Sequence, residues 1–244
     1  MGESTREYTG GDPTLDIPGL YYIPNFLSKA EQDMVISTLD NSHWEKIIRR
    51  RQQFWGIQYY HTTHNIKAIQ PVDHTESLDI NKFQWLLNKI TETTFRDRYD
   101  IFQTEWPNQI LVNEYVENFG ISTHFDDSFA FGKCIVTISL LQPIVMTFRK
   151  PLHPTNHCTT LVEEKEIILE PNSCLIMSKD SRYNWRHGIT RRRRFEYNGE
   201  EIKRNLDYRR ISLTIREVLD TRKKSDYTDV GTVKVSECDC IKDE

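Results

Sequence analysis

Residues 210–216 read Arg-Ile-Ser-Leu-Thr-Ile-Arg, an order that suits a strand and no amphipathic helix. Side chains of an extended chain alternate with a period of two. Ile211, Leu213 and Ile215 therefore share one face, and Arg210, Ser212, Thr214 and Arg216 share the other. The aliphatic face requires a hydrophobic layer against it. The opposite face begins and ends in arginine, and a guanidinium taken out of water needs an anionic partner. The strand thus predicts a sheet with a core on one side and either solvent or an anion site on the other.

Other short segments rich in β-branched residues precede it, at 109–116, 134–141, 144–148, 166–169 and 173–177. Helical signals come earlier still. Ser28 and Glu31 have the spacing of a capping box, which opens a helix to about Leu39 with Met34, Val35 and Leu39 available for its buried face. Ile80, Phe83, Leu87, Ile90 and Phe95 recur at near-helical spacing and predict a second helix over about 80–96. Residues 19–24 read as a strand entering a turn, and 52–60 as strand or loop. Helices followed by many short strands predict an α+β domain, a double-stranded β-helix or jelly roll with supporting N-terminal helices. It is expected over residues 18–220, between a flexible N-terminal tail (1–17) and a polar acidic C-terminal tail (221–244). Residues 191–207, charged and aperiodic, are expected to form a mobile loop.

With 244 residues the chain has room for one domain with a sizeable core, and its net charge of −4 gives no overall basicity. Positive charge is gathered instead at Arg49–Arg51 and Arg191–Arg194. No apolar run reaches the length of a membrane span, and residues 1–6 lack the apolar region of a secretory signal. No membrane partner is expected. Five cysteines, with Cys134, Cys158 and Cys174 well separated, point to a reducing compartment, nucleus or cytoplasm.

His124 and Asp126, two apart, can reach one ion from a single extended segment. Asp127 competes with Asp126, but the period of two turns it away from His124. A third ligand must come from elsewhere, and His187 is the best candidate. Two histidines and one carboxylate form the facial set that suits Fe(II), leaving positions open for a co-substrate and O2. His-x-Asp alone is common by chance. The remaining histidines, including the His61-x-x-His64 pair, read as solvated loop residues. Arg210 and Arg216 could grip the carboxylates of an acidic co-substrate, since a guanidinium fork matches a carboxylate as lysine cannot. Asn113 and Tyr115, also two apart, could hydrogen-bond the same ligand.

Asn113-x-Tyr115, His124-x-Asp126, His187 and Arg210-x-Ser212-x-Thr214-x-Arg216 occur in the order found in the AlkB family of Fe(II)- and 2-oxoglutarate-dependent dioxygenases, which the chain resembles over about residues 18–220. The resemblance implies a jelly roll with N-terminal helices. It implies that His124, Asp126 and His187 bind Fe(II), and that Asn113, Tyr115, Arg210 and Arg216 hold 2-oxoglutarate. The family reaction uses O2 to convert 2-oxoglutarate to succinate and CO2 while a C–H bond is hydroxylated; an N-methyl carbon hydroxylated in this way leaves as formaldehyde. Two positions depart from the family pattern. Ser212 stands where asparagine is usual, and Glu117-Asn118-Phe119-Gly120 follows Asn-x-Tyr in place of Pro-Gly.

Locally the chain is similar to the branch that hydroxylates wobble uridines in tRNA. Ser181-Arg182-Tyr183-x-Trp185-x-His187-Gly188-Ile189-Thr190, Ile144-Val145-Met146-x-Phe148 and the segment 49–56 carry that similarity. The expected substrate is a nucleic-acid base, in tRNA before DNA, hydroxylated or oxidatively demethylated. Arg49, Arg50 and Arg51 could contact phosphates, and Trp55, Tyr59 or Tyr60 could stack an extruded base. Alternatives are the same chemistry on a histone or other basic protein, and a non-catalytic binding module. Cys238-x-Cys240 resembles part of a zinc-binding tail of that branch but lacks a third and fourth ligand.

Overall fold

The computed structural model describes residues 16–46, 50–57, 78–104, 106–154 and 158–219. In chain order these form strand β1 (Leu20–Ile23), helix α1 (Lys29–Asp40), β2 (Gln52–Gly56), a 3-10 turn (Ile80–Phe83), α2 (Gln84–Thr91) and α3 (Thr93–Tyr99). Then come β3 (Gln109–Val116), β4 (Ile121–His124), β5 (Phe131–Leu140), β6 (Ile144–Pro151), β7 (Leu161–Leu169), β8 (Ser173–Met177), α4 (Lys179–Tyr183), β9 (Arg186–Ile189), β10 (Arg194–Tyr197), β11 (Glu200–Lys203) and β12 (Arg209–Val218). Six strands make one antiparallel sheet in the order β1-β8-β5-β12-β3-β2; a second has the order β4-β9-β6-β7; β10 and β11 pair as a hairpin. The expected double-stranded β-helix is therefore present.

Alternation along the strands builds two cores. On β5, Cys134, Val136, Ile138 and Leu140 face the helices, while Ile135 faces the second sheet. On β12, Ile211, Leu213 and Ile215 join Val35, Leu39, Leu86, Leu87 and Ile90 of the helices in the first core. Ile144, Met146, Phe148, Ile167, Leu169 and Ile189 meet Tyr115, Leu175 and Met177 in the second, between the sheets. Ile17, assigned from sequence to the N-terminal tail, is buried in that second core.

The capping box at Ser28 forms in both directions, with Ser28 Oγ accepting from the Glu31 amide and Glu31 from that of Ser28. Gln32, Val35 and Leu39 are the residues α1 buries; Met34 lies off that stripe and is 47% exposed, contrary to expectation. The second helix is interrupted. Glu92 takes an extended ψ of 138°, and its carboxylate accepts from the Phe95 amide at 3.1 Å, so one apolar stripe is carried by a 3-10 turn and two short helices. Thr91 closes α2 by donating to the Leu87 carbonyl, local side-chain chemistry that competes with helix continuation.

The segment expected to be a mobile loop contains the β10–β11 hairpin. Asn198 and Gly199 take φ of 53° and 77°, as a two-residue type I′ turn requires. Phe195 is buried beneath it, and two of the four arginines of the basic run form ion pairs, Arg192 with Glu166 and Arg194 with Glu201. Asn-Gly between Tyr197 and Glu200 was the readable signal.

Glu114, opposite in facing to Asn113 and Tyr115, accepts from Arg51 Nε at 2.5 Å and Nη2 at 2.6 Å, and from Arg209 Nε at 2.8 Å. Burial would raise its carboxyl, but the hydrogen bonds from Arg51 and Arg209 hold it below the ordinary range. On acidification the unfolded chain therefore takes up this proton first. The stability it contributes is fully present above pH 4.5, the ordinary glutamate value, and is lost as pH falls through the folded value. Glu114→Gln is expected to destabilise by about 1–3 kcal/mol, toward the lower end because both arginines are partly exposed. Denaturant titrations from pH 7 to 3 should show a shallower acid slope in the variant; parallel slopes would refute the assignment.

Candidate active site

The registers of β3, β12, β5 and β2 lay down the floor of one cavity. Arg210 lies opposite Tyr115, Ser212 opposite Asn113 and Ser139, Thr214 opposite Leu111 and Thr137, and Arg216 opposite Gln109. Gln52 pairs with Asn113 from the other side, and its Nε2 donates to Asn113 Oδ1 at 2.7 Å. That leaves the amide NH2 of Asn113 as the donor available to a ligand. The cavity, about 100 Å³, is closed over by Ile121, His124, Met146, His187 and Ile189 of the second sheet. It has room for a small organic acid or several waters.

His124 and His187 are direct partners across the β4–β9 ladder, which brings their ring centroids to 4.6 Å. Gly188, next to His187, permits this approach: a Cβ there would lie 2.8 Å from the backbone of Ile121 and Thr123. Asp126 follows two residues after His124, with Oδ2 at 3.5 Å from His187 Nε2. One ligand atom from each of the three lies within 4.8 Å of the others. His124 Nδ1 donates to the Ser122 carbonyl at 2.9 Å, which leaves Nε2 as the metal-binding nitrogen. Asp127 is a turn former instead: its Oδ1 accepts from the amides of Phe129 at 2.7 Å and Ala130 at 3.0 Å.

Burial, with the adjacent His124, draws His187 down to about 4, so its ring is neutral at physiological pH, the form that ligates a metal. Burial would push the Asp126 carboxyl up, but the charges of His187 when protonated and of Arg216 hold it below the usual range. Arg216 Nη1 donates to Asp126 Oδ1 at 3.0 Å and Nε to Gln109 Oε1 at 2.8 Å, with Phe131 packed on the guanidinium.

Arg210 is fully buried. Its Nε donates to Ser139 Oγ at 2.9 Å and Tyr115 lies beside it, yet Nη1 and Nη2 have no hydrogen-bond partner among the described residues. Two parallel donors on a desolvated cation, facing the cavity, fit a carboxylate. The donor set thus fits a divalent metal at one end of the cavity and an organic acid at the other.

Residues expected to meet substrate fare differently. Trp55 is fully buried, edge-on to Phe83, and its Nε1 donates to Gln53, so it is a core residue and cannot stack a base. Arg51 is engaged by Glu114 and lies over Trp44. Arg50 lines the cavity, 5.6 Å from the Tyr115 ring centre, and donates to the Gly120 carbonyl at 3.0 Å. Arg49, Tyr59, Tyr60, Cys238 and Cys240 lie outside the described residues. Sequence reasoning missed Gln52, Gln109 and Ser139, which steer Asn113, Arg216 and Arg210, because cross-strand register is not written in any one segment.

Three donors that could hold a metal from one side, with an unpaired guanidinium in the same cavity, make the arrangement expected of an oxygen-using iron enzyme with an acidic co-substrate. Residues 19–216 match the model of the 2OG-Fe(II) oxygenase superfamily, and the chain belongs to it. That family implies Fe(II), 2-oxoglutarate and O2 as cofactor and co-substrates, and His124, Asp126 and His187 fit its metal site. It is 29% identical over 218 residues to the alkylated DNA repair protein ALKBH8 homolog of Arabidopsis thaliana, covering 85% of this chain and 60% of that protein. It is 27% identical to the tRNA (carboxymethyluridine(34)-5-O)-methyltransferase ALKBH8 of Macaca fascicularis, over 72% of this chain and 25% of that one. It is also 27% identical to a DNA N6-methyl adenine demethylase of Caenorhabditis elegans, over 89% of this chain and 66% of that one. Among solved structures, that of OsALKBH1 shares the fold, with a TM-score of 0.56 at 16% identity over 82% of this chain and 98% of that one. The chain thus spans 60% of the Arabidopsis protein and 25% of the Macaca one. Among the described residues no helix is long and apolar enough to cross a membrane.

Proposed function

We propose that the chain oxidises a base of nucleic acid, in tRNA before DNA, by hydroxylation or oxidative demethylation. His124, Asp126 and His187 hold Fe(II). Arg210 takes a carboxylate of 2-oxoglutarate with its two unpaired N–H groups, and this is the observation that carries the reading. Asn113 and Tyr115 flank that ligand, and Arg216 orients the Asp126 carboxylate toward the metal. Bound iron supplies oxidation of a C–H bond, coupled to decarboxylation of 2-oxoglutarate. The chain's own part is to keep the His187 imidazole neutral and to fix the His124 tautomer through the Ser122 carbonyl.

Support for a nucleic-acid substrate comes from relatives whose names state action on tRNA and on DNA. The segment Ser181–Thr190, which carries the similarity to the tRNA branch, runs from α4 through β9 and brings His187 into the site. Incubation with Fe(II), 2-oxoglutarate and either bulk tRNA, methylated single-stranded DNA or histone, followed by mass spectrometry of nucleosides and peptides, tests the reading. A new or demethylated tRNA nucleoside formed together with succinate is the expected result. Binding of tRNA should also weaken steeply with salt, as phosphate contacts require. Turnover of histone with none of either nucleic acid would overturn the proposal.

A further inference from the structure

Arg182 belongs to the segment that resembles the tRNA branch, yet it is 3% exposed and cannot meet a substrate at the surface. It sits in the last turn of α4, a helix of five residues that leads directly into β9 and His187. Its Nη1 donates to the main-chain carbonyl of Asp126 at 2.8 Å and its Nη2 to that of Asp127 at 3.0 Å. Nε has no hydrogen-bond partner, and among the described residues no carboxylate forms an ion pair with this guanidinium. A buried cation that meets two carbonyls and, at 5.1 Å, the Tyr183 ring, but forms no ion pair, is costly to keep, so its position calls for a reason.

The geometry points to Arg182 as a positioning residue for the metal centre: a clamp that ties the segment carrying Asp126 to the segment carrying His187. It rests on the metal-site reading above. The two ligand segments belong to different strands and meet at the metal. Asp126 is held twice, its carboxylate by Arg216 from β12 and its carbonyl by Arg182 from α4. Asp127 adds to the same hold, since its carbonyl also accepts from the Phe131 amide at 3.2 Å while its side chain closes the turn. The loop between β4 and β5 is thereby fixed at Asp126 and Asp127, the second and third residues after the strand. Groups that orient metal ligands without touching the metal set affinity by restricting where the ligand can point. A lysine would keep the charge but offers a point donor in place of the fork that reaches two carbonyls.

The test is metal affinity, which a residue needed only for folding would not alter. Metal-free wild type, Arg182→Ala, Arg182→Lys and His124→Ala are titrated with Co(II), read by its visible absorption, with melting temperature measured alongside. Wild type should bind one Co(II) and His124→Ala none. Arg182→Ala should bind about 10–100-fold more weakly, and Arg182→Lys should fall between it and wild type. In turnover, the iron concentration for half-maximal rate should rise by a similar factor, with little change in the 2-oxoglutarate KM. An unchanged Co(II) affinity in Arg182→Ala, with only a lower melting temperature, would overturn the clamp. If the alanine variant fails to fold, wild-type affinity in Arg182→Lys overturns it instead. Absence of His124-dependent binding in wild type would overturn both the clamp and the metal site beneath it.

Discussion

Asp126→Ala and His124→Ala are both expected to abolish succinate formation from 2-oxoglutarate, but only the first should also lower stability substantially. Each removes one of three metal ligands from a set whose donor atoms lie within 4.8 Å of one another. Two remaining ligands leave the ion loosely held. The variants differ in what they strand. Asp126 accepts from Arg216 Nη1 at 3.0 Å, and both side chains are at most 10% exposed. Removing one partner of a buried ion pair leaves the other charge uncompensated and costs about 3–5 kcal/mol. His124 is partly exposed, and its Nδ1 bond goes to a carbonyl, so truncation strands no charge. Mass spectrometry of succinate together with melting curves of the metal-free proteins reads both effects. Residual turnover in His124→Ala above the protein-free background would contradict the ligand assignment. Equal melting temperatures for the two variants would contradict the role given to Arg216.

The parts legible in the sequence share a physical cause: they follow from short-range periodicity or local capping. The alternation of Arg210–Arg216 gave both faces of β12, the aliphatic one against the helices and the polar one on the cavity floor. Ser28 and Glu31 announced α1 three residues apart. Trp55 was misjudged because an aromatic beside a basic run has the composition of a stacking platform. Its burial is decided by Phe83, in a turn distant along the chain, and by the β2–β3 register. The break at Glu92 was hidden because the apolar stripe continues across it while the backbone does not. Arg51 and Arg50, neighbours in sequence, point to opposite faces and meet different partners, Glu114 and the cavity. The three candidate metal ligands were recognisable by type and order, but the pairing of His124 with His187 across β4 and β9 needed the fold.

Arg210→Met is expected to raise the stability of the ligand-free protein while eliminating its response to 2-oxoglutarate. In the folded chain the guanidinium is fully buried, donates through Nε to Ser139, and among the described residues Nη1 and Nη2 meet no acceptor. Burial lowers its pKa below the ordinary arginine range, the signature of a cation without a counter-charge. Replacing even a buried ion pair with apolar side chains of similar volume is often neutral or stabilising by about 1–4 kcal/mol, and a buried cation without a counter-charge is costlier still to keep. The same substitution deletes the fork that would meet a carboxylate, and a methionine thioether offers no donor. A ligand at one hundred times its Kd stabilises the form that binds it by about 2.7 kcal/mol. Without co-substrate the variant should therefore melt above wild type; with saturating 2-oxoglutarate and a redox-inert divalent metal, wild type should draw level or overtake. Destabilisation relative to functional need is then concentrated at one residue, as expected where a site and not the fold dictates the side chain. A variant that melts below wild type without co-substrate would show that the cavity already compensates the charge. One that keeps the 2-oxoglutarate shift would move the carboxylate to Arg216 or Arg50, the other guanidinium groups lining the same cavity.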